Sequence, residues 1–124
     1  MNNRRLKSLF LDDIRHPKDA YSYSNQEVYL NDQWIVVRTY EAFCDWITQN
    51  GLPDFISFDH DLADENYQHG TTETEKTGYD CAVWLVDYCL DHQLICPPFY
   101  CHSMNPVGKA KIEGLLRQFS ESAP

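Results

Sequence analysis

Three apolar runs in this sequence stop abruptly at side chains that can bind metal or move protons. LFLDD (9–13) ends in Asp12 and Asp13, FISFDHD (55–61) in Asp59, His60 and Asp61, and FYCHS (99–103) in His102 and Ser103. Two unit charges about 4 Å apart repel by roughly 4 kcal/mol at an effective dielectric of about 20. A gathering of carboxylates is therefore tolerated only when a proton or a cation sits within it. Oxygen donors of this kind suit Mg2+, Mn2+ or Ca2+, and the lack of a cysteine–histidine cluster disfavours structural zinc. Asp12, Asp13, Asp59 and Asp61 are therefore read as ligands of a divalent ion, Mg2+ or Mn2+. Any one of them alone would pass for a strand-end or helix-cap aspartate. The pair and the triplet together point to function.

His60 stands between two carboxylates, which suits it to proton transfer, although continued strand alternation would turn it away from Asp59 and Asp61. His102 has two readings, a catalytic imidazole or a satisfied core histidine. With Asp59, His60 and Asp61 it completes the expected catalytic set. In HSMNPVGK (102–109) a helix opens with Asn105 as cap and Pro106 at its first position. Its free backbone N–H groups, with Ser103 and Lys109 nearby, make an anion site suited to phosphate. Lys109 is equally consistent with a solvated surface lysine. Arg15 and His16, in IRHP (14–17), follow the aspartate pair closely enough to add positive charge beside a phosphate.

These groups act together only if the chain brings the ends of the runs together. Buried strands are expected at Ser8–Leu11, Trp34–Val37, Phe55–Phe58 and Phe99–Cys101. One helix follows a Thr39 cap over Tyr40–Asn50 and stops at Gly51. The next is TGYDCAVWLVDYCLDHQ (77–93), opened by a Thr77/Asp80 capping box and carrying Cys81, Leu85 and Cys89 on one stripe. The last begins at Asn105 and Pro106 and turns Ile112, Leu115, Leu116 and Phe119 inward. Strands alternating with helices predict an α/β three-layer sandwich, with a mainly parallel sheet of four to five strands. Such a sheet sets the carboxyl ends of its strands on one rim, where ligands bind. No helical period is visible between residues 13 and 33. The first helix is expected to be reduced, or replaced by irregular chain or by a hairpin in EVYLNDQWIVV turning at Asn31 and Asp32. The polar stretch ADENYQHGTTETEK (63–76) has the length and composition of a lid.

At 124 residues the chain fits a single domain, 1–124, and 43% apolar with 14% aromatic residues implies a folded core. Ten basic residues against nineteen acidic ones, a net charge of −9, exclude an extended nucleic-acid groove. A small phosphorylated ligand or a nucleic-acid end remains compatible, because a bound metal reverses the local field. Five cysteines, odd in number and scattered, read as free thiols in a reducing cytosol, Cys101 beside His102 included. The basic start is followed by an apolar run too short for a signal peptide, and no segment approaches the roughly 20 apolar residues of a membrane span. A cytoplasmic protein without membrane association is expected; no protein partner is legible.

An acidic pair after the first strand, an aspartate after the third and a hydroxyl after the fourth resemble the receiver domains of two-component signalling, which are flavodoxin-like. That resemblance implies Mg2+ held by Asp12, Asp13 and Asp59, a phosphoryl group accepted on Asp59, and a switch hydroxyl at Ser103. The sequence departs from an ordinary receiver in lacking a clear first helix and a fifth strand bearing the receiver lysine, for which Lys109 is the stand-in. It also carries His60 and His102, for which an ordinary receiver has no need. LFLDDIRHP, VVRTYEAF, GLPDFISFDHDL, TGYDCAVWLVDYC and PPFYCHSMNPVGKAKI together resemble a divergent branch, the cyclic-phosphate-processing receiver-like family. This implies a metal-dependent phosphoesterase acting on a cyclic phosphate or related phosphoester of a nucleotide or RNA end, as in RNA repair. Two other outcomes share the fold: a non-enzymatic phospho-switch and a pseudo-receiver interaction module.

Overall fold

A computed structural model describes residues 7–30, 33–61 and 76–122 of the chain. Its elements are β1 (Ser8–Leu11), α1 (Pro17–Ser24), a 3-10 turn (Glu27–Leu30), β2 (Trp34–Val37), α2 (Tyr40–Asn50), β3 (Phe55–Phe58), α3 (Gly78–His92), β4 (Phe99–Cys101) and α4 (Pro106–Ser122). The four strands form one sheet in the order β2-β1-β3-β4, and every pairing is parallel. The expected α/β receiver-like sandwich is the fold the chain adopts. Parallel neighbours need crossovers, and the helices supply them.

The helix boundaries are set by local chemistry. Thr39 accepts a hydrogen bond from the Ala42 N–H at 3.0 Å to open α2, which closes at Gly51 with φ +84°. Thr77 and Asp80 form the expected capping box, and the Thr77 N–H donates to Asp80 Oδ2 at 2.7 Å. Asn105 Oδ1 accepts from the Gly108 N–H at 3.1 Å and so caps α4. Each cap satisfies N–H groups that the first turn leaves without helical partners.

Strand alternation divides the sheet into two unequal faces. On one face Leu9, Leu11, Ile56, Phe58 and Cys101 pack against Phe43 and Ile47 of α2, Leu85 and Cys89 of α3, and Ile112 and Leu116 of α4. Each large apolar side chain buried there contributes about 1.5–3 kcal/mol, so this face is the main source of stability. The other face is smaller, with Phe10, Ala20 and Tyr29 as its buried centre and Trp34, Val36 and Tyr100 packed beside them. Ser57 points to this side too, as do Asp12, Asp59 and His102 by the same alternation.

The first crossover holds the principal difference from the sequence reading. A first helix does exist, over the eight residues of α1. Pro17 occupies its first turn, and the His16 N–H donates to Asp19 Oδ2 at 2.8 Å. It buries only Ala20, so PKDAYSYS carries too weak an apolar period to be seen. The reduced-helix alternative holds. The hairpin does not, because Glu27–Leu30 winds into a 3-10 turn rather than a strand; Asn31 and Asp32 lie outside the described residues. The lid expected over 63–76 also lies outside them, apart from Lys76, whose ammonium sits 5.2 Å from the Tyr40 ring centre. Among the described residues all five cysteines are free, and no helix is long and apolar enough to cross a membrane.

Candidate functional site

Register decides which chemical groups meet. Leu11 lies level with Val37 on one side and Phe58 on the other, and Phe58 is level with Cys101. The next residues, Asp12, Arg38, Asp59 and His102, therefore form one tier at the carboxyl rim. Backbone bonds carry the ladder into that tier: Asp12 N–H to Val37 O at 3.1 Å, Asp59 N–H to Leu11 O at 3.0 Å, and His102 N–H to Phe58 O at 2.9 Å. Donor atoms of Asp12, Asp59 and His102 all lie within 4.8 Å of one another, and all three residues are buried.

Above this tier opens a pocket of about 340 Å3 lined by Asp13, Ile14, Arg15, Asp59, Asp61, Met104 and Asn105. Three of the four predicted metal ligands thus face one space, with Asp12 directly beneath. Asp12 is held firmly. Its Oδ1 accepts from the backbone N–H groups of Ile14 (3.0 Å) and Arg15 (2.8 Å), and its Oδ2 accepts from His102 Nε2 at 2.9 Å. Burial pushes this carboxyl up, but the hydrogen bonds from His102, Arg15 and Ile14 outweigh burial and hold it below the usual carboxylate range. Asp59 goes the other way. Burial, then the negative charges of Asp12 and Asp13, raise its pKa to about 7, against only partial relief from the His60 N–H and Arg15.

That contrast tests whether a divalent ion fits. A metal–oxygen distance of about 2.1 Å places opposite ligands about 4.2 Å apart, so the carboxylate oxygens of Asp12 and Asp59, within 4.8 Å of each other, need only a small contraction. The donors facing the pocket are hard carboxylate oxygens, and a cation among them would replace the proton that Asp59 otherwise keeps. The residues fit Mg2+ or Mn2+.

Two glycines set the position of the strand-three exit. A Cβ added at Gly78 would lie 1.7 Å from Asp59 O, and the Gly78 N–H donates to His60 O at 2.7 Å. Hence only glycine lets the start of α3 press on the Asp59 backbone. A Cβ at Gly108 would fall 2.2 Å from His60 Cγ, so the His60 ring lies against the first turn of α4. From there His60 Nδ1 meets Asp61 Oδ1 at 2.9 Å, while Asn105 Nδ2 donates to the same oxygen at 3.4 Å. His60 therefore reaches the pocket through Asp61 and is not among the lining residues.

The other predicted residues divide. Arg15 lines the pocket, its Nη1 4.0 Å from Asp12 Oδ2, its Nη2 near Met104 Sδ and its guanidinium 5.5 Å from the Tyr23 ring centre. Asn105 caps α4 at the pocket edge. Ser103 is buried below that edge, and its Oγ accepts the Asn105 N–H at 3.1 Å. His102 is only 2% exposed, and neither of its ring nitrogens faces the pocket: Nδ1 is 2.6 Å from Ser57 Oγ, and Nε2 binds Asp12. Burial pushes this imidazole down further than Asp12 pulls it up. Two residues stand away from the pocket. Lys109 Nζ sits 5.3 Å from the Tyr100 ring centre, a cation–π contact that uses the charge elsewhere. His16 is exposed at the start of α1 and lines a separate cavity with Lys18, Leu30 and Trp34.

Sequence reasoning passed over Arg38, Tyr23 and Ser57. Arg38 Nη1 donates to Arg15 O at 2.7 Å and to Asp12 O at 3.2 Å, tying the β1–α1 loop to the end of β2. Tyr23 Oη donates to His102 O at 2.7 Å and ties α1 to the β4 exit. A charged residue directly after VV and a serine inside an apolar strand were the available signals.

A four-stranded parallel sheet in the order β2-β1-β3-β4, with acidic residues gathered at its carboxyl rim, defines a receiver-like protein. The match is closer than the fold alone: residues 7–118 match the model of the family described as "Cyclic-phosphate processing Receiver domain". The chain belongs to that family. No curated protein and no solved structure matches it.

Proposed function

We propose that this chain is a metal-dependent phosphoesterase that opens a cyclic phosphodiester, on a mononucleotide or an RNA end, to a phosphomonoester. The observation that carries this reading is the crowding of Asp12, Asp13, Asp59 and Asp61 around one pocket that also holds the Arg15 guanidinium. Its volume, about 340 Å3, suits a nucleotide-sized group rather than a polymer groove. Asp13 and Asp59, with a remaining lone pair of Asp12, would hold Mg2+ or Mn2+, and Asp61 beside them would act on the water. When bound, the ion supplies Lewis-acid stabilisation of the charge on the phosphoryl oxygens.

The chain's own groups do the rest. Arg15 pairs with phosphate oxygens, and the capped start of α4 at Asn105 adds the favourable end of a helix dipole. Asp61, backed by His60, takes a proton from the attacking water. A bond forms between that water oxygen and phosphorus, one ring P–O bond breaks, and the proton ends on the released alkoxide. His102, enclosed on both nitrogens, supports Asp12 instead of donating to the leaving group.

Nucleoside 2′,3′-cyclic phosphates incubated with Mg2+, Mn2+ or EDTA test the reading. Turnover to a monoester in the presence of either metal, and none in EDTA, is expected. Absence of turnover with both metals counts against the reading. A second reading, a phospho-switch, draws on Asp59 and Ser103 standing at the ends of β3 and β4. A stable acyl phosphate on Asp59 after treatment with acetyl phosphate would favour it over hydrolysis.

A further inference from the structure

The central strand β3 carries one polar residue, Ser57, among Phe55, Ile56 and Phe58. A hydroxyl buried at 0% exposure in an apolar strand needs partners, and it has two. Ser57 Oγ lies 2.5 Å from Tyr29 Oη and 2.6 Å from His102 Nδ1. The opposite ring nitrogen, His102 Nε2, lies 2.9 Å from Asp12 Oδ2. A continuous chain, Tyr29–Ser57–His102–Asp12, thus runs beneath the pocket, and all four residues are buried.

The direction of each bond is determined by its end. An ionised carboxylate only accepts, so His102 donates through Nε2–H. In the tautomer with its proton on Nε2, the ring has a bare Nδ1, which accepts from the Ser57 hydroxyl. Ser57 has spent its one proton, so its oxygen accepts from Tyr29. The imidazole is also clamped by its surroundings. It stacks on Phe10 with centroids 4.4 Å apart and planes 9° apart, and the Tyr29 ring meets it edge-on at 6.1 Å. A ring held by stacking, by Ser57 and by its neighbours has one orientation, and Asp12 inherits it.

We propose that Tyr29, Ser57 and His102 are positioning residues: a directional relay that fixes His102 as its Nε2–H tautomer and aims the Asp12 carboxylate at the divalent ion. The inference rests on the metal site proposed above and extends it to residues with no contact to the pocket. Partners behind a ligating group orient it and raise its basicity, and their loss typically costs about 10–100-fold in metal affinity.

The test uses the full chain labelled with 15N on histidine, together with Mn2+ titration by electron paramagnetic resonance. In wild type, the His102 ring should show a protonated Nε2 and a bare, hydrogen-bonded Nδ1. Ser57→Ala should shift the Nδ1 resonance to that of an unbonded nitrogen and weaken Mn2+ binding by about 10-fold or more. Tyr29→Phe keeps the Ser57–His102 bond, so it should weaken binding less. It is near-isosteric and carries the test if Ser57→Ala fails to fold. A His102 ring protonated on Nδ1, or unchanged Mn2+ affinity in folded Ser57→Ala or Tyr29→Phe, overturns the relay. Wild type that binds no Mn2+ overturns it together with the metal site. Wild type that binds Mn2+ through this relay but cleaves no cyclic phosphate upholds it and removes only the hydrolase reading.

Discussion

Asp59→Asn should abolish turnover while making the metal-free protein more stable at pH 8. Both effects come from the same buried carboxylate. Lewis-acid stabilisation of a phosphoryl transition state is worth several kcal/mol, so losing this ligand should lower the rate by roughly three orders of magnitude. The stability effect comes from the carboxyl pKa, raised to about 7 by burial and by the charges of Asp12 and Asp13. Between the ordinary value of 3.8 and about 7 the native state binds more protons than the unfolded chain, so its stability falls as pH rises through that window. Above it, the folded metal-free protein carries an unfavourable buried charge costing on the order of 2–4 kcal/mol. The variant has no such charge and should show no such fall. Thermal melts in EDTA from pH 4 to pH 8 measure both profiles. A variant no more stable than wild type at pH 8, or one that retains full turnover, would show that Asp59 is neither strained nor central.

Gly78→Ala should destabilise the protein although it improves helix propensity. In an open helical position the exchange gains about 0.8–1.0 kcal/mol. Position 78 is not open, because the new Cβ would meet the carbonyl oxygen of Asp59 at 1.7 Å. The obstruction is backbone at the site itself, and no side-chain rotation relieves it. Overpacking of this kind costs about 1–3 kcal/mol or more, which exceeds the propensity gain. Relief requires α3 to retreat from the β3 exit, and Asp59 moves with that exit. The expected result is a net loss of about 2 kcal/mol and Mn2+ binding weakened at least tenfold. Gly114→Ala provides the control, since a Cβ there meets nothing within 4 Å. It should stabilise α4 by up to about 1 kcal/mol and leave metal binding unchanged. Equal stability gains from both substitutions in urea denaturation would contradict the close approach at Gly78.

Much of this arrangement is legible in the sequence because two short-range signals coincide. Apolar runs of three or four residues mark the strands, and the polar residues directly after each run mark the rim. The parallel topology then brings Asp12, Asp59 and His102 level without further information. Depth is harder to read. That His102 lies beneath the pocket depends on Ser57 and Asp12 enclosing its two nitrogens, residues 45 and 90 positions away. Helix α1 was legible only as one alternative, a reduced first helix, because a polar helix burying one alanine has almost no periodicity. Lys109 looked available for phosphate because nothing in HSMNPVGK shows that Tyr100 lies beneath its ammonium. Arg38 ties the β1–α1 loop to the end of β2 through backbone carbonyls, which have no sequence signature at all.

The most direct measurement is calorimetric titration of Mn2+ into the wild-type protein at pH 6, in two buffers of different ionisation enthalpy. With the Asp59 carboxyl at about 7, the metal-free site holds its proton at this pH, and an ion entering between Asp12, Asp13 and Asp59 must displace it. Saturable binding with release of about one proton per ion is expected, and both should be absent in Asp59→Asn. No saturable binding, or binding that releases no proton and persists in Asp59→Asn, would contradict a metal site built on the carboxylates at this rim.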